Sequence, residues 1–472
     1  MKSHLWILLI ALAAATPARA QSKLPYTPVV TPNGSTLPWK REGGVKVFHL
    51  VAEPVKREFA PGMVINTWGY NGQSPGPTIE AVEGDRVRIY VTNKLPEATS
   101  VHWHGMIVPN GMDGVAGLNQ KHIQPGETYK YEFTLKPHGT QMYHPHSDEM
   151  VQMSLGMEGF FIIHPKQEAK KVDRDFAIFL HEWAVPPGSA APNPAVMTDF
   201  NLFTFNSRIF PGTDPLVVRK NDRVRIRLAN LSMDSHPIHI HGHSFKITGT
   251  DGGAIPPSAQ WPETTVNVPP GTTHDIEFIA DNPGDWAFHC HKSHHTMNQM
   301  GHEVPNMNGV DQRDTEKKIR KLLPGYMSMG STGMGDMGEM NMGGPKNWVP
   351  MMTGTGQFGP IEMGGMFTIV KVREGLKNYD DPGDYRYPAG TVADQSESPG
   401  EPPRPGVDVL PKAAIPAKPA EPMDPSMHMN HSMPMDHAKP KAPAKPMDPS
   451  MHMDPSMHMD HGAGATPQGT KP

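Results

Sequence analysis

Residues 85–89 read DRVRI, and residues 222–226 read DRVRI again. Carried forward without a gap, that offset of 137 lays VHWHG (101–105) on IHIHG (238–242), so that His102 and His104 coincide with His239 and His241. A second ungapped match, offset by 145, lays PGETYKYEFTLKPHGTQMYHPH (125–146) on PGTTHDIEFIADNPGDWAFHCH (270–291) and brings His144 and His146 onto His289 and His291. The chain is an internal duplication, and whatever fold one copy takes, the other must take as well.

Both copies read as strands. RVRIYVTN (86–93) and TYKYEFTL (128–135) alternate apolar and polar in period two, and Pro-Gly, Asn-Gly and Asp-Gly turn signals separate such runs. Short strands at regular spacing over roughly 120 residues predict an all-β chain of two Greek-key β-sandwiches. The first is placed at about 40–165 and the second at about 172–375. The second is longer because a Gly/Met-rich insertion, 301–362, separates Met300 from a closing strand, GMFTIVKVRE (365–374). Past about 380 the composition shifts to Pro, Ala, Lys, Met and His, with MDPSMHM at 423, 447 and 453, and 385–472 is expected to be a disordered tail.

The chain begins with Lys2, the apolar run LWILLIALAAA and ARA at 18–20, the pattern of a Sec-type signal peptide (1–20), so the mature protein is expected in the periplasm or secreted. No later run reaches the roughly 20 apolar residues of a membrane span. A net charge of −5 without a basic block points to neither nucleic acid nor a membrane surface as partner. The single cysteine, Cys290, has no internal disulfide partner, and a free thiol in an oxidising compartment calls for an occupant such as a metal.

Side chains at i and i+2 of a strand leave the same face with Cα atoms about 6.5–7 Å apart, wide for chelating one ion and suited to two neighbouring ions. Four His-X-His pairs, 102/104, 144/146, 239/241 and 289/291, therefore imply a cluster of metals, and eight imidazoles would serve three ions. Cys290 sits between the last pair, so the pleat points its sulfur away from both imidazoles. There it can join His236, His295 and Met300 in a His₂Cys site with a weak thioether, the donor set of a blue copper centre. The peptide from Cys290 to its flanking histidines becomes a short covalent path between that site and the cluster.

HWHG, HPH, HPIHIHG and HCHKSHHTMNQM resemble the four copper motifs of the multicopper oxidases, the laccase family, and the resemblance covers roughly residues 45–300 and the closing strand. It implies cupredoxin-like domains with four coppers per subunit. His236, Cys290, His295 and Met300 correspond to the type 1 ligands, and His102 and His239 to the type 2 ligands. His104, His144, His146, His241, His289 and His291 correspond to the ligands of the type 3 pair. The implied reaction moves single electrons from Cu(I) or small phenolic donors through type 1 copper and reduces O₂ to water at the trinuclear cluster. About 90 residues separate His146 from His236, leaving no room for the middle sandwich of three-domain laccases, so the resemblance is to the two-domain subgroup, whose relatives are homotrimers. The positions matching the type 1 ligands in the first copy are Thr99, Pro145, Met150 and Leu155, and no type 1 site is expected there.

Many members of the family carry a carboxylate directly after the third histidine of the last motif, where this chain has Thr296. The turn GMDGVAGLNQ resembles the acidic turn after the first motif and makes Asp113 a candidate catalytic residue that hydrogen-bonds the cluster's water and relays protons; TDGG at 250–253 recurs at nearly the matching place, which leaves an ordinary Asp-Gly turn as the other reading. The insertion carries GYMSMGSTGMGDMGEMNMGG (325–344) and then come Met351, Met352, Met363 and Met366, soft thioethers for delivering Cu(I), or else a lid without chemistry. The rival functions are a copper-sequestering protein and a copper nitrite reductase; the latter places type 1 ligands in the first domain and needs fewer cluster histidines.

Overall fold

The computed structural model describes residues 24–168, 171–186, 188–298, 317–318, 321–322, 347 and 349–396. The expected signal peptide, most of the Met-rich insertion, Met300 and the tail from 397 lie outside the described residues.

Each copy of the repeat folds as two facing sheets, and the chain is all-β as expected, with cupredoxin-like sandwiches. In the first, Arg86–Asn93 lies in a five-stranded sheet between Val45–Ala60 and Thr128–Thr134. Its alternation turns Val87, Ile89 and Val91 inward, where they meet Trp103, Tyr143 and Phe161 of a facing four-stranded sheet. The facing sheet runs Gly76–Val82, Gly159–His164, Gly139–His144, His102–His104. Its last pairing sets His102 opposite His144 and His104 opposite Met142.

The second sandwich repeats the plan. Arg223–Asn230 sits between Arg174–Trp183 and Thr272–Ile279, and the facing sheet runs Leu216–Arg219, Phe367–Arg373, Gly284–Cys290, His236–Ile240, Thr265–Val268. Here His239 stands opposite His289 and Ile238 opposite Cys290. The closing strand predicted at 365–374 is Phe367–Arg373, antiparallel to the cysteine-bearing strand. Beyond it the chain stays on the sandwich past residue 385: Arg174 and Arg219 lie over the Tyr379 ring at 4.0 and 4.5 Å, and the Tyr385 N–H donates to Asp285 at 2.8 Å.

The sandwiches pack on each other within the chain. Met142, Phe160 and Ile162 of the first form one apolar cluster with Ala177, Phe179, Ala229 and Leu231 of the second. Val29–Val30, which precedes the first sandwich in sequence, adds a parallel strand to the second at Asp175–Phe176. No helix among the described residues is long and apolar enough to cross a membrane.

Candidate functional site

Cys290 ends its strand with the sulfur in the apolar core of the second sandwich, among Ile238, Phe288 and Met366. Two imidazoles reach it there. His236 Nδ1 and His295 Nδ1 are 3.0 Å apart, and the sulfur lies 3.9 Å from the first and 3.5 Å from the second. All three residues have no exposed surface. Burial pushes the Cys290 thiol up to about 12 and His236 down to about 3, and depresses His295 as well. Three neutral electron-pair donors facing one point are a poor arrangement for themselves and a good one for a cation, which would hold the sulfur as thiolate. A buried N₂S set fits copper.

The outer nitrogens are held by residues that no motif announced. His236 Nε2 lies 3.0 Å from Ser232 Oγ and 3.6 Å from Glu182 Oε1, which keeps the proton on Nε2 and the Nδ1 lone pair toward the sulfur. His295 stacks on Phe203 at 4.0 Å and turns Nε2 toward Asp234 Oδ2 at 3.7 Å. Glu182, Asp234 and His295 offer ligand atoms that all lie within 4.8 Å of one another. Burial raises the Glu182 carboxyl to about 7, with the Asp234 charge adding to it. Glu182 comes from a strand 54 residues before His236, and Asp234 stands 61 residues before the His295 it faces, separations that spacing does not reveal.

The remaining eight predicted histidines form two quartets, one per sandwich. In the first, His104 Nδ1 approaches His144 Nε2 at 3.3 Å, and His102 lies 5.3 and 5.7 Å, ring to ring, from His144 and His146. In the second, His241 Nε2 approaches His289 Nε2 at 3.2 Å, and His239 lies 5.7 and 5.3 Å from His289 and His291. Burial lowers His144 to about 3 and His289 to about 4, so both stay neutral and able to ligate. Carbonyls fix their tautomers. His102, His144, His239 and His289 place Nδ1 against the carbonyls of Asp113, Pro145, Thr264 and Cys290 at 2.8, 2.9, 2.7 and 2.8 Å, which leaves Nε2 for a metal. His104 is reversed, with Nδ1 toward the quartet, 3.3 Å from His144 Nε2. Among the described residues no ring contact joins one quartet to the other.

Asp113 touches His102 twice, through its carbonyl and through a carboxylate oxygen 3.4 Å from the same Nδ1, and Asn119 holds the other oxygen at 3.1 Å. It also ends the 3-10 turn Asn110–Met112, so turn and ligand support coexist in one residue. Sequence reasoning missed Glu149, whose carboxylate lies 3.5 Å from His146 Nε2 and 3.8 Å from His144 Nδ1. Of the methionines that follow the Met-rich run, Met351, Met352 and Met366 are buried and do not present their thioethers to solvent. Asn298 accounts for this. It bonds the Pro350 and Met351 carbonyls and the Gly365 N–H, stitching the returning chain to the loop that carries His295.

Two family models, both described as multicopper oxidase, match residues 52–168 and 186–310, together just over half of the chain. Copper resistance protein A of Escherichia coli is 43% identical over 114 residues, covering 24% of this chain and 18% of that protein. A probable nitrite reductase-hydroxylamine oxidoreductase fusion protein of Kuenenia stuttgartiensis is 29% identical over 275 residues, 55% of this chain and 31% of that one. The chain thus spans less than a third of the length of these curated relatives. Among solved structures, a blue copper oxidase from Nitrosomonas europaea aligns with a TM-score of 0.51 at 27% identity over 69% of this chain and 85% of that chain.

Proposed function

The chain belongs to the multicopper oxidase family, and from that premise we propose that it is an exported oxidase that takes single electrons from Cu(I), small phenols or both and reduces O₂ to water. The observation that carries this reading is the convergence of the buried Cys290 sulfur with His236 and His295 on one face of a strand whose other face presents His289 to a histidine quartet. Copper bound to these residues supplies one-electron transfer at the Cys290 site and four-electron reduction of O₂ at the shared cluster.

The chain's own groups do the rest. Ser232 and Glu182 keep the proton of His236 on the outer nitrogen. The Cys290 carbonyl accepts the His289 Nδ1–H, so one residue touches both centres, by its sulfur and by its main chain. Asp113 holds the His102 ring and keeps a carboxylate oxygen beside it, where it can pass protons to the oxygen being reduced. The outer edge of His295, flanked by Asp234 and Glu182, is the side from which an electron donor would approach. The insertion's thioethers are read as delivering Cu(I) there, and the tail as a copper reservoir, in the service of copper tolerance.

Each sandwich holds only half of the cluster ligands, and among the described residues no ring contact joins the two quartets. We therefore place the complete cluster between the first sandwich of one subunit and the second of the next, a head-to-tail contact that closes into a ring, here a homotrimer. Sequestration without catalysis is the second reading, and nitrite reduction a weaker third, since the sulfur site stands in the second sandwich and all eight cluster histidines are retained. Oxygen uptake by the copper-loaded full chain, with Cu(I) and with a phenol, tests the proposal. Cys290→Ser is expected to remove the intense visible absorption and reduce oxygen uptake to background while the other coppers remain. An unchanged visible band, or a wild-type protein that binds copper without consuming oxygen, overturns the reading.

A further inference from the structure

In both copies the glycine that follows the second histidine of the first pair, Gly105 and Gly242, takes a left-handed backbone with φ of +83° and +69°. Left-handed turns favour glycine, yet here a second constraint applies. A Cβ on Gly105 would overlap the Gln141 Oε1, and a Cβ on Gly242 would overlap the six-membered edge of the Trp286 ring. Gln141 stands three residues before His144 and Trp286 three before His289, and the two are related by the same offset of 145 that superimposes those histidines. The duplication has kept the position and the contact while changing the residue.

The second copy shows what the contact holds. Trp286 Nε1–H donates to the Asn282 carbonyl at 2.8 Å, and the Asn282 amide donates to the Gly242 carbonyl at 3.1 Å. The His241 N–H bonds the Ala287 carbonyl at 2.9 Å, and the His241 carbonyl takes His243 Nδ1 at 3.2 Å. The turn that carries His241 is thus pinned to the strand that carries His289. In the first copy Gln141 is buried over the matching turn, on the strand that carries His144, although neither end of its amide finds a hydrogen-bond partner among the described residues. Leaving such a group unpaired is unfavourable, and a leucine would fill the space without that cost.

We infer that Gln141 and Trp286 are equivalent positioning residues, each pressing on the glycine turn of one His-X-His pair from the strand of the other. They fix the approach of His104 to His144 and of His241 to His289, the closest cross-pair contacts of the two quartets at 3.3 and 3.2 Å. The inference rests on reading the quartets as halves of a copper cluster.

The test uses the full chain loaded from a chelator-buffered copper series, comparing wild type with Trp286→Ala, Trp286→Phe and Gln141→Ala. Copper per chain, the visible band of the Cys290 site and hydrogen exchange of the 241–243 amides in copper-free protein are the readouts. Trp286→Ala is expected to weaken cluster copper by about 10–100-fold, the usual effect of removing a group that orients a ligand, and to speed exchange at 241–243 while the visible band persists. Trp286→Phe, which keeps a ring over Gly242, restores most of the affinity, and Gln141→Ala weakens cluster copper as Trp286→Ala does. Unchanged cluster copper in either alanine variant, or a visible band that falls in step with it, overturns the inference. A wild-type chain that takes up copper at the Cys290 site alone would sink the cluster reading instead.

Discussion

Thr99 and His236 occupy matching places ahead of the first histidine pair of each sandwich, and their surroundings have diverged completely. His236 turns inward to the Cys290 sulfur and His295. Thr99 instead gives its hydroxyl to Gln152 Oε1 at 2.6 Å, and the Gln152 amide donates to the Ala98 carbonyl at 2.8 Å. Gln152 is fully buried on a helix, Glu149–Ser154, which replaces the 3-10 turn Ser293–Thr296 of the second copy. A neutral polar pair fills in one half the kind of space that converging lone pairs shape for a metal in the other. The sandwich tolerates either solution, so the chemistry lies in a few side chains grafted onto a common scaffold.

The quartets are the features the two halves share most closely, and they also put the comparison at greatest risk. If each half supplies one side of a cluster completed by a neighbouring subunit, two differently crippled chains can repair each other. His104→Ala with His144→Ala in one chain, and His241→Ala with His289→Ala in another, should each be inactive. Mixing them under conditions of subunit exchange should recover a clear fraction of oxygen uptake from nothing. A monodisperse monomer with full activity in light scattering would end the head-to-tail arrangement.

A smaller difference concerns charge. Arg86 and Arg88 pair with Glu132 on the open face of the first sandwich, and Arg223 and Arg225 pair with Glu277 at the same positions of the second. The second copy extends the ladder: the place of Tyr90 is taken by Arg227, with a side chain only 4% exposed. Arg227 grips both oxygens of Asp175 at 2.8 Å and donates to Thr140 of the first sandwich at 2.7 Å. Docking of the sandwiches has turned a solvated ladder into an interior one. Arg227→Met should therefore cost about 3–5 kcal/mol, since it leaves the buried Asp175 carboxylate with only the longer 3.4 Å contact to Arg225. Arg88→Met should cost about 0–1 kcal/mol. Equal losses in denaturant unfolding would mean that burial does not distinguish the two ladders.

The residues legible in the sequence were those whose partners repeat at fixed spacing. Eleven of the twelve predicted ligand positions fall among the described residues; His236, Cys290 and His295 converge, and the eight paired histidines divide into one quartet per sandwich, with His102 and His239 in different quartets, because a pleat and a period of two determine which face each histidine takes. What stayed hidden depends on pairing between distant strands. Glu182 reaches His236 only because Arg174–Trp183 carries it there, and Val29–Val30 joins the second sandwich through a pairing with residues 175–176 that two valines cannot announce. The repeat showed that the first copy lacks a type 1 ligand set, yet it could not show that Gln152, aligned with Met297, plugs the gap. The duplication offsets hold on the strands and fail where a helix replaces a turn.

That plug yields the smallest expected effect and the sharpest separation of the halves. Thr99→Val keeps the shape of the side chain and removes its hydroxyl, so Gln152 Oε1 loses its donor while the Gln152 amide keeps the Ala98 carbonyl. One unsatisfied buried acceptor costs about 1–3 kcal/mol. The loss should appear as a lower midpoint in thermal or denaturant unfolding. Among the described residues nothing connects Thr99 to the sulfur site, whose Cys290, His236 and His295 all belong to the second sandwich, so the visible band should keep its position and intensity. The first quartet is closer: Ser100, the next residue, accepts the His146 N–H on its hydroxyl oxygen at 3.2 Å, and a disturbed strand here would loosen His146 first. A shifted visible band in Thr99→Val would show that the halves communicate through their cores. A changed copper stoichiometry with an unchanged band would confine the disturbance to the first quartet, and an unchanged midpoint would mean that the Thr99–Gln152 bond does not hold the plug in place.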